Sequence, residues 1–307
     1  MGKKGFLIAF LVLLLAGGLI FGGIALFVFK PSEKDTAIDP TAPIADPNIP
    51  DGTLMRLAET AAFYDGTYVH RYDYGYNKVF GIDVSSWNSK DGRSINWKQC
   101  HDAGIEYVFV RIGLRGYGEE GNMLLDKCYQ ENLAAAKDAG LLVGCYFYSQ
   151  AVTQAEAIEE AEFLLDAIDG YTMDLPVVMD CEFALEVDGG GRLYQASLSP
   201  AEYATVCAAF CSRIEQAGYT PMIYGNVKML RDSIDHNILG PERLWVAQYN
   251  DLCELSHKDY QFWQFTNSGT VPGIEGDVDI NVWYIPETVS LAPQEAASWL
   301  SGPSLIS

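Results

Sequence analysis

From Val79 onward the hydrophobic and polar positions fall into short runs of two alternating kinds. VFGIDVS, EYVFVRIG, LLVGCYFYS, LPVVMDCE, TPMIYGN, RLWVAQY, YQFWQFT and DVDIN are brief, β-rich and almost continuously apolar, the pattern of strands buried on both faces. Between the early runs, NWKQCHDAG, MLLDKCYQENLAAAKDAG, TQAEAIEEAEFLLDAID and SPAEYATVCAAFCSRIEQAG carry helical spacing. Several close on Ala-Gly, as a helix C-terminus does, and Ser199 before Pro200 suits a helix start. Strand–helix alternation predicts parallel strands covered by helices, and eight strands predict a closed α/β barrel over residues 79–285. After Gly225 the intervals shorten and helical patterns thin out. The expected fold is an irregular (β/α)8 TIM-like barrel, helix-rich in its first half and helix-poor in its second. An open doubly wound sheet is the alternative, but no glycine-rich nucleotide loop follows the first strand.

The N-terminus has a different pattern. Residues 5–29 carry no charge, between Lys4 and Lys30. That is long enough for a transmembrane helix, and longer than the apolar core of a cleaved signal. Lys3 and Lys4 favour a cytoplasmic start. Residues 1–30 are therefore expected to be an uncleaved signal anchor in the cell membrane, single-pass, with everything after it extracytoplasmic. Residues 31–52 are Pro-rich and acidic and read as an extended spacer. Residues 53–78, dense in Tyr, read as a neck or N-terminal extension, and 286–307 as a short tail. No repeat follows the barrel, so the anchor is expected to do the localising. A net charge of −21 argues against nucleic acid as a partner, since phosphates are repelled. Seven Cys is an odd number with no CxxC. Most read as small buried hydrophobes rather than a disulfide framework.

Barrel chemistry gathers at the C-terminal ends of strands, and here those ends are acidic and aromatic. The first run ends at Asp83, the fourth at Asp180 and Glu182, and the last carries Asp279. The third offers Tyr146 and Tyr148, the fifth Tyr224, and the next two Trp245, Gln248, Tyr249, Trp263 and Gln264. A single Asp at a strand end is more often a turn former, and aromatic strand residues are usually core. The set is harder to explain that way. Asp180 and Glu182 share one face of a strand, and four acids converging on one mouth repel one another unless protonated or paired. A carboxylate-bound cation is one resolution. Glycoside hydrolysis is the other, with one carboxyl held protonated as acid and aromatic rings supporting the sugars.

Taken in order, GIDVSSWN, YVFVRIG, VGCYFYS, LPVVMDCE, PMIYGN, LWVAQY, FWQFT and DVDIN resemble the glycoside hydrolase family 25 lysozymes, the Chalaropsis-type muramidases. The resemblance spans roughly residues 79–285. It implies hydrolysis of the β-1,4 bond between N-acetylmuramic acid and N-acetylglucosamine in peptidoglycan glycan strands, with no cofactor and no metal. It implies Glu182 as general acid, Asp180 as its active-site neighbour, and Asp83 and Asp279 as the remaining pocket acids. A carboxylate nucleophile and the substrate's own N-acetyl oxygen are both open, with Asp180 orienting the acetamido group the favoured reading. Tyr146, Tyr148, Tyr224, Trp245, Gln248, Tyr249 and Gln264 are the candidate sugar-binding residues. FALEVDGGGRLYQAS, after Glu182, is Gly-rich and is expected to be a longer loop at the mouth. Two competing readings use the same acids: a catalytically silent barrel that binds glycan or scaffolds wall proteins, and a metal-dependent hydrolase.

Overall fold

The eight apolar runs pair edge to edge into one closed barrel. The computed structural model describes residues 76–286, apart from 90–92, 188, 241–242, 250–252 and 256–259. The anchor expected over 1–30, the spacer over 31–52, the extension as far as residue 75 and the tail from 287 lie outside the described residues. Among the described residues no helix is long and apolar enough to cross a membrane.

The strands are β1 (Tyr76–Val84), β2 (Tyr107–Arg115), β3 (Met123–Leu125), β4 (Leu142–Ser149), β5 (Val177–Cys181), β6 (Pro221–Asn226), β7 (Arg243–Ala247), β8 (Phe262–Gly269) and β9 (Val278–Pro286). Around the barrel the order is β1, β9, β8, β7, β6, β5, β4, β2, closed by the pairing of β1 with β2. All neighbours are parallel except at β9, which runs antiparallel to both β8 and β1. This departs from the expected run of parallel strands. Only residues 270–277 join β8 to β9, too few for a parallel crossover, which takes a dozen or more.

The helices are α1 (Trp97–Asp102), α2 (Tyr129–Asp138), α3 (Gln154–Ala167), α4 (Arg192–Ala196), α5 (Pro200–Gln216), α6 (Val227–Asp232) and α7 (His236–Leu239). The long ones precede β6, and those after it have six and four residues, the helix-poor second half that the spacing predicts. α5 starts on a capping box: the Ser199 hydroxyl accepts from the Glu202 N–H, and the Glu202 carboxylate accepts from the Ser199 N–H at 2.8 Å, satisfying two end groups reciprocally. One boundary differs from expectation. Met123–Leu125 is a strand antiparallel to the end of β2, not the first turn of a helix. The Asp126 side chain accepts from the Cys128 N–H at 2.9 Å, a local turn that delays α2 to Tyr129.

Strand alternation sorts the core into two layers. Cys145, Phe147, Met179 and Cys181 face outward and pack with Leu164, Cys207 and Phe210, so both strand cysteines are fully buried as small hydrophobes. Inward, Tyr107, Phe109, Val178, Met222, Phe262 and Trp283 fill the barrel. Phe109 stacks on Trp245 at 4.6 Å, and Phe262 on Trp283 at 5.1 Å. Gly81 and Gly144 make room for these rings: a Cβ would fall 2.3 Å from the Tyr107 ring and 2.5 Å from the Phe109 ring. The lumen is thus a solid aromatic plug, and polar chemistry is confined to the mouth above it.

Candidate active site

β1 and β9 bring two carboxyl groups face to face at the mouth. Asp83 and Asp279 are direct partners across the antiparallel pair, where like charges are destabilising. Asp83 is satisfied by neutral donors: its Oδ2 accepts from Gln264 Nε2 at 2.9 Å and Asn281 Nδ2 at 2.8 Å. Each donor is itself held. Trp245 Nε1 donates to Asn281 Oδ1 at 2.8 Å, and the Tyr224 and Tyr249 hydroxyls donate to Gln264 Oε1 at 2.8 and 2.9 Å. Burial pushes Asp83 up to about 6, limited by the hydrogen bonds from Asn281, Gln264 and Asp279. Burial and the Asp83 charge push Asp279 up to about 9. At neutral pH Asp279 therefore keeps its proton and donates it to an ionised Asp83.

β5 supplies the second pair. Asp180 lies on the lumen face, in register with Tyr148 on β4 and Tyr224 on β6. It is 5% exposed and its Oδ1 has no hydrogen-bond partner. Burial and then the Glu182 charge hold Asp180 well above the usual carboxylate range, with Arg111 opposing. Glu182 is one residue beyond the strand. It is raised by burial and by Asp83 and Glu186, against the neighbouring Tyr224 hydroxyl. The two groups share one neighbourhood, so protons leave them as a coupled pair.

These four acids line a cavity of about 350 Å³ at the mouth, together with Tyr146, Tyr148, Tyr224, Trp245, Tyr249 and Gln264. Trp245 is its buried floor and Tyr249 part of its exposed rim. Gln264 reaches the cavity, but both ends of its amide are engaged by protein groups. Among the described residues no group of three or more His, Cys, Asp or Glu is arranged to hold a metal ion.

Two expected rim residues are elsewhere. Gln248 braces the chain beyond β7: its Oε1 accepts from the Glu254 N–H at 2.6 Å, and its carbonyl accepts from Trp263 Nε1 at 2.8 Å. Trp263 precedes the inward Gln264, so parity turns it outward into the shell under the helices. Three residues without an expected role contribute to the site. Arg111, the charge in the middle of the apolar run of β2, lines the cavity and donates to Asp126 Oδ2 from Nε at 3.0 Å and Nη2 at 2.8 Å. Its position in an otherwise apolar run was the available signal, as it was for Asp180. Trp87, 65% exposed, stands on the rim beside Asn88. Asn281, the last residue of DVDIN, takes its role from the hydrogen bond to Asp83.

A closed barrel with protonatable carboxyls gathered at its mouth among aromatic rings has the build of a barrel glycosidase. The model of glycosyl hydrolases family 25 matches residues 82–274, and the chain belongs to that family. The uncharacterized protein YegX of Escherichia coli (strain K12) is 27% identical over 232 residues, covering 70% of this chain and 77% of the relative. The autolytic lysozyme of Clostridium acetobutylicum is 25% identical over 201 residues, covering 66% of this chain and 54% of the relative. Among solved structures, the modular autolysin LytC of Streptococcus pneumoniae superposes with a TM-score of 0.57 at 26% identity, covering 68% of this chain and 47% of that one. LytC has also been solved in complex with a synthetic peptidoglycan ligand. The chain spans about half the length of the autolytic lysozyme and of LytC.

Proposed function

We propose that this chain is an N-acetylmuramidase that hydrolyses the β-1,4 bond between N-acetylmuramic acid and N-acetylglucosamine in peptidoglycan. The observation that carries the reading is the Asp180–Glu182 pair, two carboxyl groups of raised proton affinity in the mouth of a family 25 barrel. The lysozyme relative and the ligand-bound LytC support the substrate class. Glu182 gives its proton to the glycosidic oxygen as the bond to the anomeric carbon breaks. Asp180, which lines the cavity beside Glu182, accepts the N–H of the substrate's acetamido group. The oxygen of that acetamido group closes on the anomeric carbon, water then opens the ring, and Glu182 takes the proton from that water. Asp83, ionised above about pH 6, offsets positive charge developing at the sugar ring.

The test is incubation of the purified soluble part with peptidoglycan, followed by mass spectrometry of the fragments. New reducing ends on N-acetylmuramic acid are expected, and activity should persist in a strong chelator. Reducing ends on N-acetylglucosamine, or intact glycan, would refute the reading.

The same reading holds the barrel outside the cell on a single-pass anchor, supported by the uncharged residues 5–29 behind Lys3 and Lys4. Full-length protein should fractionate with membranes, and protease added to protoplasts should digest the barrel. A soluble form starting beyond Phe29 would show a cleaved signal instead.

A further inference from the structure

Behind Glu182 lies a buried polar cluster that does not line the cavity. Gln150 directly follows β4 and is fully buried. Its Nε2 donates to two carbonyls, those of Ser149 and Glu182, each at 2.9 Å. Its Oε1 accepts from the Leu193 N–H at 3.3 Å. One amide thus joins the end of β4, the residue after β5 and the first turn of α4. Glu182 lies past the last ladder residue of β5, so the sheet does not fix its peptide plane.

The clamp itself is rigid. The Gln150 N–H donates to Glu160 Oε1 at 3.3 Å, and the Gln150 carbonyl accepts from Arg192 Nη1 at 2.9 Å. Glu160 is fully buried and is gripped by Arg115 Nε at 2.7 Å and the Ser149 hydroxyl at 2.6 Å. Arg192 is paired with Glu156 at 2.7 Å. The Gly-rich loop closes over the amide so tightly that a Cβ on Gly191 would lie 2.7 Å from Gln150 Oε1. An apolar side chain could fill this volume, but only an amide answers two acceptors and one donor at once.

We propose that Gln150 is a positioning residue for the acid: its side-chain amide fixes the peptide plane of Glu182 and thereby the direction in which the carboxyl enters the cavity. This rests on the role of Glu182 proposed above. Small misplacement of a reacting group is expensive, about 10²-fold in rate for roughly 1 Å. Position also sets proton affinity. Glu182 is faced by Asp180 on its own strand, Asp83 on β1, Asp279 on β9, Tyr148 on β4, Tyr224 on β6, Tyr249 beyond β7 and Glu186 on its loop. A carboxyl released toward solvent leaves that crowd and titrates lower.

The experiment compares Gln150→Met, Gln150→Glu and Gly191→Ala with the parent and with Glu182→Gln. Three quantities are read: kcat and KM on peptidoglycan, the kcat–pH profile, and the ¹³C NMR titration of the Glu182 carboxyl. Gln150→Met should lower kcat by about 10-fold or more with KM within about 3-fold, and move the Glu182 titration and the alkaline limb to lower pH. Gly191→Ala, which displaces the amide without altering it, should do the same more weakly. Gln150→Glu should recover part of the lost rate at acid pH, where its protonated carboxyl again donates to the Glu182 carbonyl. An unchanged kcat and titration in a folded variant overturns the proposal, as does a rate loss that only tracks the loss of folded protein. Where Gln150→Met does not fold, the other two variants decide by the same readouts. A parent that releases no muramic reducing ends refutes the functional reading, while the Glu182 titration still decides the role of Gln150.

Discussion

The two carboxyl pairs at the barrel mouth are built on opposite plans. On the β1–β9 side Asp83 is surrounded by donors, and Asp279 surrenders its charge to it. On the β5 side Asp180 is as deeply buried, yet one of its oxygens meets no donor. Burial without partners is costly, and on the β1–β9 side that cost is met within the protein. On the β5 side it is unmet, and Asp180 answers it by holding its proton more tightly. The difference separates a fixed buried anion from a pair available for chemistry.

The hardest break in this comparison is Glu182→Gln, which keeps shape but cannot deliver a proton. Turnover on purified peptidoglycan should fall by at least about 10²-fold, with a melting temperature no lower than the parent's, since the raised proton affinity of Glu182 makes its ionised form unfavourable in the fold. Near-parental turnover would remove Glu182 from the mechanism. Asp180→Asn should also lose most activity while gaining stability. The raised proton affinity of Asp180 means its ionised form is disfavoured in the fold, so its penalty is absent near pH 4 and grows as pH rises. The variant should melt with the parent at pH 4 and above it at pH 8; a lower melting point at pH 8 would contradict an unpartnered carboxyl.

Asp279→Asn sharpens the contrast from the other side. The folded group titrates at about 9 and the unfolded one near about 4. Folding therefore loses stability progressively between those values as the unfolded chain gives up a proton the fold retains. Asn stays neutral and can still donate to Asp83. The gain in melting temperature should be nil at pH 4 and largest at pH 9, read by thermal melts across that window. The smallest effect is expected from Trp87→Ala on the exposed rim. KM for long glycan should rise a few-fold with kcat and stability unchanged, and a large stability loss would show that the ring is structural.

The strands were legible because each is a short apolar run, and the Asp180–Glu182 pair because a period of two puts both on one face. β3 was not, since Met-Leu-Leu suits a helix start equally well and only the Asp126 turn decides. The reversal of β9 leaves no mark in the composition of DVDIN; it shows only in the shortness of the segment before it. Asp279 was therefore found at the mouth for a reason other than the one expected: it begins a strand there instead of ending one. Trp263 failed by one position of parity, and Gln248 by a loop contact to Glu254. Asn281 was legible as the end of DVDIN, on the same strand face as Asp279, but its bond to Asp83 across 198 residues and that of Gln150 to Glu182 across 32 have no local pattern.

The reversed β9 also fixes where the barrel is held. β1 climbs from Tyr76 toward the mouth and β9 descends from the mouth to Pro286, so that Tyr76 and Pro286 end up paired with each other. The chain therefore enters and leaves through the blind end, below the aromatic plug. A pull on one extension while the other is held is borne first by the β1–β9 ladder that carries Asp83 and Asp279, and mechanical load reaches the buried anion before it reaches the acid.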